Sequence, residues 1–465
     1  MRAVLSELHG APTAVRTFDG DWSGQELLRR AAGAVRFLDA AGPPGHAVPA
    51  LLASSAASMA LTIGGAFSDR PIAPLGTRLA VAELVPLVKA LDAPVLVTDP
   101  PNSKLAERIA SVAGIKVMVL HDLPSADPVF VPTRPDSVVL VLHTSGTTGR
   151  PKAVPVQDAA VFHRAQAYRS EMGLTRGDLY CSTGGFHHTG GVGMLFVAVA
   201  CGAGIIPFPR FSVDAWRAVA ALEPTCGLLV PTMIDLLLEE QALADVRLRV
   251  LHYGTAPIHP VTVRAALEVL PGTEFTQAYG MTEGGPISLL GHADHIRALD
   301  GEPQLLASVG RPLKGVELRL DDVTDDGVGE VLARAGQIFQ PGPDGWLHTG
   351  DLGRLDDEGF LFLQGRRGDT IIRGGENVYP LEIERVLEQH DQVREAAVVG
   401  VASRRWGQTI KAFVVPDDPE SPPEITALVE HVRDRLATFK VPTEWEFTLS
   451  LPRNPAGKVL RHRLM

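Results

Sequence analysis

Cysteines and long apolar runs are both scarce in this sequence. The 465 residues include only Cys181, Cys201 and Cys226, too few and too widely spaced for a disulfide framework or a zinc cluster. We expect all three to be small buried residues in a reducing cytosol. No stretch reaches the roughly 18 uninterrupted apolar residues of a membrane span, and Glu7 and His9 interrupt the place where a secretory signal has its apolar core. A cytoplasmic protein without a membrane span is expected.

Positive charge is also in the minority. Asp and Glu number 54 against 43 Lys and Arg, and the formal net charge is −11. Nucleic acids and anionic membranes select for clustered Lys and Arg, so neither is expected as the main partner. Because the net charge is negative, any phosphate-binding site must be local.

Hydrophobic residues make up 45% of the chain, which is enough for a large core.

Short apolar runs alternate with helical patterns in the first part of the chain. Residues 23–26 have capping-box spacing and precede apolar residues at helical intervals, and residues 80–91 give a helical pattern that Pro86 is expected to interrupt. Apolar runs at 95–97 and 116–120 are typical of buried strands. This alternation predicts layered α/β subdomains with a mostly parallel sheet.

The composition changes after residue 308. Glycine-punctuated short strands predict a small β-rich subdomain over about 308–366. Beyond a charged, glycine-rich stretch, helices and strands alternate again, which predicts a separate small α+β domain. The expected division is an N-terminal domain of residues 1–366 and a C-terminal domain of residues 367–465.

A loop rich in glycine and hydroxyl groups follows the apolar run at 138–142. Gly146 and Gly149 allow a tight turn close to an anion. The donors available for phosphate oxygens are Thr144, Ser145, Thr147, Thr148 and Lys152. The spacing is not that of the kinase and GTPase P-loop, because Arg150-Pro151 precedes the lysine. By itself the loop fits either a triphosphate cradle or a solvated polar turn.

Five motifs, in this order along the chain, resemble those of the adenylate-forming superfamily of acyl-CoA synthetases, luciferase-like ligases and nonribosomal adenylation domains. They are residues 144–152, 279–283 (YGMTE), 345–351 (GWLHTGD), 365–377 and 452–458 (PRNPAGK). The resemblance covers nearly the whole chain. It implies a large N-terminal domain and a small mobile C-terminal domain that carries a catalytic lysine.

The resemblance also implies ATP, Mg²⁺ and coenzyme A (CoA) as cofactors or co-substrates. It assigns Glu283 and Thr144 to Mg²⁺, Asp351 to the ribose hydroxyls, Arg366 to the ribose and phosphate side, and Lys458 to the carboxylate and the α-phosphate. A hard carboxylate suits Mg²⁺, and a compact ammonium suits one developing charge. Without the resemblance, each of these residues would more often be a solvated surface group.

The remaining implied contacts concern adenine and the acceptor. Adenine is expected near residues 254–257, which include Gly254, Thr255 and Ala256, and near residues 277–279, which end at Tyr279. Gly280, Met281 and Thr282 of the second motif are further candidates for binding the nucleotide. Tyr279 can stack on a base, although a core tyrosine at a strand end is the alternative. Gly374 and Gly375 are expected at the tunnel through which a pantetheine thiol reaches the acyl-adenylate.

The substrate side rests on a second glycine-rich loop, residues 184–191 (GGFHHTGG). Amino-acid-activating relatives have an aspartate after the aromatic residue, whereas this chain has His187 and His188, so amino-acid activation is disfavoured. Phe186-His187 resembles the aromatic–histidine pair of acyl- and aryl-CoA ligases, in which the imidazole closes the carboxylate pocket. A hydrogen-bonded loop histidine without a substrate role also fits.

Two segments depart from the superfamily pattern. The segment between Glu330 and Gly345 is about a dozen residues shorter than in most relatives, which affects a surface loop and implies no lost chemistry. Residues 403–408 read SRRWGQ where relatives are usually acidic. The two added arginines suit a phosphorylated acceptor or an acidic partner, and a solvated charge pair is the plainer explanation.

The sequence thus predicts an ATP-dependent acid–thiol ligase. A small-molecule carboxylic acid, fatty or aromatic, would form an acyl-AMP and pyrophosphate, and CoA would then displace AMP. The first alternative is transfer of the acyl group to a carrier protein, an amine or another nucleophile. The second is a non-catalytic nucleotide-binding relative. The identity of the acid and the choice between monomer and homodimer stay open.

Overall fold

The computed structural model describes residues 1–128, 130, 133–145, 151–339, 341–454 and 457–465. Its helices are α1 (Arg2–Gly10), α2 (Gly24–Asp39), α3 (Ala56–Phe67), α4 (Val81–Ala90), α5 (Ser103–Ala113), α6 (Asp158–Ser170), α7 (Met194–Ala200), α8 (Val213–Val219), α9 (Pro231–Glu239), α10 (Pro260–Val269), α11 (His292–Leu299), α12 (Pro380–Leu387) and α13 (Ile425–Arg433). None of these helices is long and apolar enough to cross a bilayer.

The strands fall into an N-terminal and a C-terminal set. The first set is β1 (Val15–Thr17), β2 (Gly20–Trp22), β3 (Val48–Leu51), β4 (Ile72–Pro74), β5 (Val95–Thr98), β6 (Lys116–Val119), β7 (Val138–Ser145), β8 (Pro151–Gln157), β9 (Leu179–Ser182), β10 (Gly204–Pro207), β11 (Cys226–Leu229), β12 (Val250–Gly254), β13 (Glu274–Met281), β14 (Gly285–Leu290) and β15 (Arg311–Pro312). The second is β16 (Glu317–Asp321), β17 (Gly329–Arg334), β18 (Leu347–Leu355), β19 (Leu361–Arg366), β20 (Ile371–Arg373), β21 (Glu376–Val378), β22 (Val393–Ser403), β23 (Gly407–Pro416) and β24 (Glu444–Phe447).

Two large sheets organise the N-terminal strands. One has the order β6-β5-β3-β4-β7-β8 and the other β15-β14-β13-β12-β11-β9-β10-β1-β2. The central pairs are parallel, as the alternation of strands and helices predicted, but the β7–β8 and β13–β14 pairs are antiparallel hairpins. The first motif spans the connection between β7 and β8, and the second motif runs from the end of β13 to Glu283 in the connection to β14.

Helices α2 and α3 pack tightly in the main core. Ser23 caps α2 by accepting a hydrogen bond from the Glu26 N–H at 3.2 Å, which confirms the predicted helix start. A Cβ on Gly64 would lie 2.5 Å from the Ala31 carbonyl oxygen, so only glycine allows the two helices to approach this closely. The three cysteines are buried and free, as predicted.

The predicted interruption at Pro86 is wrong. Helix α4 continues through Pro86 while Leu84, Leu87 and Val88 stay buried. Pro86 and Ala82 are both exposed, so the carbonyl group that loses its helical N–H partner lies on the solvent side, where water can replace the hydrogen bond.

The later strands form two smaller sheets, as the change of composition predicted. The first has the order β16-β17-β18-β19; the second has the order β21-β20-β23-β22, with β24 parallel to β23. Helices α12 and α13 cover the second sheet and bury Ile383, Leu387, Leu428 and Val432 against it. The fold is therefore α/β, with a large N-terminal domain, a β-rich subdomain and a small α+β C-terminal domain.

Candidate active site

The two antiparallel hairpins bring the first and second motifs together. Thr144 lies near the end of β7, and Glu283 lies between β13 and β14. The Thr144 hydroxyl lies 3.5 Å from Glu283 Oε1 and donates toward it. At this distance the hydrogen bond is weak, so both oxygens stay available to a ligand. Gly146, Thr147, Thr148, Gly149 and the side chain of Ser145 lie outside the described residues.

A cavity of about 210 Å³ opens beside Glu283. Its lining combines one lysine, one carboxylate and one histidine with apolar side chains; the residues are Lys152, Val154, Met281, Glu283, Phe339, Gly342, Leu347 and His348. Lys152 and Glu283 thus face one space from different sheets. A cation and a carboxylate in one cavity suit a phosphate chain with a bound metal ion.

The donors beside this cavity fit Mg²⁺ better than a structural metal. Within the described ranges, no group of three or more His, Cys, Asp and Glu side chains is placed to hold a metal ion. Mg²⁺ is usually bound through one or two carboxylates together with substrate phosphates and water, so Glu283 with the Thr144 hydroxyl is a sufficient protein contribution. Thr144 and Glu283 lie close enough to share one ion, and their role as Mg²⁺ ligands stays a prediction.

Asp351 is the centre of the next cluster. It pairs with Arg366 across strands β18 and β19, and the Arg366 Nε atom lies 2.8 Å from Asp351 Oδ1. The Tyr279 hydroxyl donates to Asp351 Oδ2 at 2.7 Å. Burial, and then the nearby Asp351 charge, raise the pKa of Tyr279 well above its usual value, so the phenol stays a donor.

Both charged members of this pair keep capacity for a ligand. A carboxylate offers about four acceptor positions, so Asp351 can still accept from two ribose hydroxyls. The buried Arg366 Nε–H has no hydrogen-bond acceptor, because its geometry toward Asp351 does not form one. An unsatisfied buried N–H is costly, and a bound ribose or phosphate oxygen would satisfy it.

Lys458 faces the same cluster from the C-terminal domain. Its backbone N–H donates to Asn454 Oδ1 at 2.9 Å, which closes the turn of the fifth motif. The residue is exposed, but surrounding protein desolvates the ammonium and lowers its pKa. Arg366 lowers the pKa further, while Asp351 and Asp369 oppose this effect. The Lys458 ammonium thus interacts electrostatically with Asp351 and Arg366.

The segments predicted to hold adenine lie side by side. Strands β12 and β13 are parallel, and Gly254 pairs with Ala278. Gly254 has φ +150°, and a Cβ there would lie 2.4 Å from the Ala278 carbonyl oxygen. The next residue, Thr255, has φ +70°, which is uncommon for a β-branched residue and often marks a functional segment. Ala256 follows it, and Gly280 and Thr282 continue the segment after Tyr279.

His187 lies in a different setting. Its Nε2 is 3.1 Å from the position that a Cβ on Gly76 would take, and its ring centroid is 3.9 Å from that of His188. Burial lowers the pKa of His187 to about 3, with smaller effects from His188 and Arg78. The imidazole is therefore neutral at physiological pH and can accept or donate one hydrogen bond. Its role at the carboxylate pocket stays a prediction.

Gly374 and Gly375 form the turn between β20 and β21. Their φ values are +61° and +95°, which explains glycine at both positions. A Cβ on Gly374 would lie 2.9 Å from Trp406 Cε3, whereas nothing lies within 4 Å of a Cβ on Gly375. Gly374 therefore contacts Trp406 within the C-terminal domain, whereas the space around Gly375 is open.

Sequence reasoning did not single out Arg164, a charged residue on α6. Its Nη2 donates to the Thr282 carbonyl oxygen at 3.1 Å, next to Glu283. The signal was present, because Arg164 falls among Ala160, Val161 and Ala165 on the buried face of the helix. A charge on an apolar helix face points to a partner inside the protein or to a ligand.

Two family descriptions match this chain. Residues 6–341 match the AMP-binding enzyme family, and residues 382–458 match the AMP-binding enzyme C-terminal domain. The chain belongs to the AMP-binding enzyme family. It is accordingly an adenylate-forming, ATP-dependent ligase, which confirms the relationship that the five motifs predicted.

Relatives of this AMP-binding enzyme differ in their acceptors. It is 32% identical to the fatty acid–[acyl-carrier-protein] ligase ScoC of Streptomyces coeruleorubidus over 95% of this chain and 90% of ScoC. The amide bond synthetase McbA of Marinactinospora thermotolerans has a similar structure, with a TM-score of 0.90, 29% identity and coverage of 100% of this chain and 98% of McbA.

A third relative carries the reaction intermediate. The o-succinylbenzoate CoA synthetase MenE of Bacillus subtilis, in complex with the acyl-adenylate OSB-AMP, has a TM-score of 0.86 and 26% identity and covers 99% of this chain and 97% of MenE. The three names refer to an acyl-carrier protein, an amide bond and CoA. Family membership therefore leaves the acceptor to be argued from this chain's own residues.

Proposed function

We propose that this enzyme is an Mg²⁺-dependent acid–CoA ligase. A carboxylate oxygen would attack the α-phosphorus of ATP, the bond to pyrophosphate would break, and the CoA thiol would then displace AMP from the acyl-adenylate. The observation that carries the proposal is that the Lys458 ammonium interacts electrostatically with Arg366 and Asp351, which are themselves an ion pair across β18 and β19. This arrangement supplies cations where two anions must meet.

Each residue has a distinct part in the first step. Bound Mg²⁺ would offset charge on the phosphate chain, with Glu283 and Thr144 as its protein ligands and Lys152 as a further cation. Asp351 would accept the ribose hydroxyls, while Arg366 and Lys458 would stabilise charge at the α-phosphate. His187, as a neutral imidazole, would close the carboxylate pocket.

We further propose that the domain boundary lies after Arg366. A short 3₁₀ turn, Arg367–Asp369, follows β19 directly. Arg367 is paired with Glu330 and Asp322 of the β-rich subdomain, whereas Asp369 faces Arg461 of the C-terminal part at 3.4 Å. Arg367 and Asp369, separated only by Gly368, thus contact opposite sides of the boundary, as a hinge requires.

Trp406 and its neighbours favour CoA as the acceptor. Trp406 is 42% exposed in the turn between β22 and β23, next to the Gly374 turn. The Arg405 guanidinium lies 4.8 Å from the Trp406 ring centroid, and Arg404 is exposed beside it. An aromatic face with two cations suits a nucleotide that carries phosphates. Transfer to a carrier protein is the second candidate, since a relative aligned over 95% of this chain is an acyl-carrier-protein ligase.

The test is ATP–pyrophosphate exchange with a panel of fatty, aromatic and dicarboxylic acids, followed by AMP release with different acceptors. We expect exchange with at least one acid and faster AMP release with CoA than with pantetheine. Replacing Arg404 and Arg405 by Gln should abolish this advantage, whereas Arg433→Gln on α13 should not. No exchange with any acid would favour the non-catalytic alternative, and acceleration only by an amine or a carrier protein would reject CoA as the acceptor.

A further inference from the structure

Arg164 is a buried cation with few partners. The residue is 4% exposed, and burial lowers the pKa of its guanidinium to about 10. Its Nη2 donates to Thr282, but its buried Nε has no hydrogen-bond partner. Among the described residues, no carboxylate lies within 4 Å of it in an ion pair, although the more distant Glu283 charge favours its protonated form.

Such an arrangement lowers the stability of the fold, so its presence points to a role in the site. Burying an arginine without a direct counter-ion is destabilising, and apolar residues of similar size often replace buried ions without loss of stability. Helix α6 offers such an apolar environment, since Ala160, Val161 and Ala165 are buried on it. The packing around α6 therefore gives no structural reason for a cation at this position.

The position of Arg164 links two parts of the site. Helix α6 begins directly after β8, the strand that carries Lys152, and Arg164 reaches from it to the turn that carries Glu283. Gly285 packs against the guanidinium so closely that a Cβ would lie 2.6 Å from Arg164 Nε. The side chain therefore joins helix α6, which follows β8 of one sheet, to the Glu283 hairpin of the other.

We propose that Arg164 is a positioning residue, which fixes the Thr282–Glu283 peptide relative to Lys152 so that the Glu283 carboxylate meets the metal ion of the bound nucleotide. This inference rests on the proposed function for the identity of that ligand. Residues that orient a metal ligand typically change metal affinity or activity by about 10- to 100-fold when they are replaced.

The test uses Arg164→Met, which keeps the volume, and Arg164→Lys, which keeps the charge. Mn²⁺ binding to the full-length enzyme with α,β-methylene-ATP would be titrated by electron paramagnetic resonance, without an acid, so that no turnover occurs. We expect the Mn²⁺ dissociation constant to rise about 10- to 100-fold in Arg164→Met and less in Arg164→Lys. Arg169→Met is the control, because Arg169 lies on the same helix but is half-exposed and pairs with Glu7.

Thermal unfolding separates a positioning role from a structural one. Both Arg164 variants should unfold cooperatively and hold Mn²⁺ more weakly than wild type. Unchanged Mn²⁺ affinity in the folded variants would overturn the proposal, as would an effect confined to the KM of the acid in pyrophosphate exchange. Because the titration needs neither acid nor thiol, its result is independent of whether the CoA-ligase assignment holds.

Discussion

Lys458 is the residue on which we expect the first half-reaction to depend most. Its ammonium lies near Arg366 and Asp351, where the acid and the α-phosphate would meet. Lys458→Ala should lower acyl-AMP formation by orders of magnitude, because Arg366 alone would then offset the charge that develops where the two anions meet. Thioester formation from supplied acyl-AMP should survive. Arg463→Ala, in the same exposed terminal segment, is the control, and equal loss of both half-reactions would reject the assignment.

The same lysine should give adenylation a characteristic pH dependence. Desolvation by the surrounding protein, and then Arg366, lower the pKa of Lys458 from its ordinary value, and the charged form is the active one. Adenylation should therefore fall, as pH rises, at a lower pH than an ordinary lysine would give. Asp369 favours the charged form, so Asp369→Asn should move this alkaline limb to still lower pH in the exchange rate. A shift to higher pH would contradict the assignment.

Candidate site residues could be found from the sequence where they belong to a short motif. The motifs led to Glu283, Asp351, Arg366 and Lys458, and the structure places the last three in one cluster. The Tyr279–Asp351 hydrogen bond and the position of Arg164 were not predictable. Both depend on how two sheets approach each other, which no local spacing encodes.

At the scale of elements, the 3₁₀ turn Arg367–Asp369 is the expected hinge. A Cβ on Gly368 would meet nothing within 4 Å, so substitutions fit sterically in this conformation. Gly368→Pro should impair thioester formation more than pyrophosphate exchange, because proline fixes φ and opposes the backbone change of a domain rotation. Gly368→Ala keeps most of the backbone freedom and should retain both activities. Equal loss in both half-reactions would indicate an ordinary turn glycine.

The turn between β20 and β21 should act only in the second half-reaction. Gly375→Leu should block thioester formation and leave pyrophosphate exchange nearly intact, because the side chain would fill a narrow thiol tunnel. Its φ of +95° also strains any leucine, so the effect needs a matched control. Gly327→Leu, at φ +77° in the open β16–β17 turn, carries similar strain. If both variants lose thioester formation equally, strain is the cause and the tunnel is rejected.

Helices and strands with regularly spaced apolar residues were predictable from the sequence. Two elements with an internal proline were not. The helix that begins after Ser23 appears as α2, and the run at 116–120 appears as β6. The sequence does not predict strand β8, because Pro151 and Lys152 belong to the glycine-rich motif and Pro155 weakens the strand signal. The helix through Pro86 was misjudged, because exposure of the lost hydrogen bond depends on packing.

At the scale of the whole molecule, the C-terminal domain packs against the N-terminal domain in an arrangement that fits the proposed role of Lys458 in adenylation. Arg385 on α12 donates to the Ala307 carbonyl oxygen at 3.3 Å, and His259 Nε2 lies 3.8 Å from Glu388 Oε2. Gly457 packs against Thr232 on α9 beside the Lys458 position. Polar contacts of this kind are typical of an interface between domains that move relative to each other.

This interface allows a direct test of whether the domain must rotate. A Cβ on Gly457 would lie 3.8 Å from Thr232 Cβ, which matches the separation of about 3.5–4.5 Å in disulfides. Oxidation of the Thr232→Cys/Gly457→Cys double variant should preserve pyrophosphate exchange and abolish thioester formation from supplied acyl-AMP, and a reducing agent should restore it. The native cysteines are buried and should not compete. Because Gly457 has φ +81°, the Gly457→Cys single variant measures the backbone strain separately. Thioester formation at an unchanged rate in the fully cross-linked enzyme would show that one domain arrangement supports both half-reactions, and the hinge at Arg367–Asp369 would lose its proposed role.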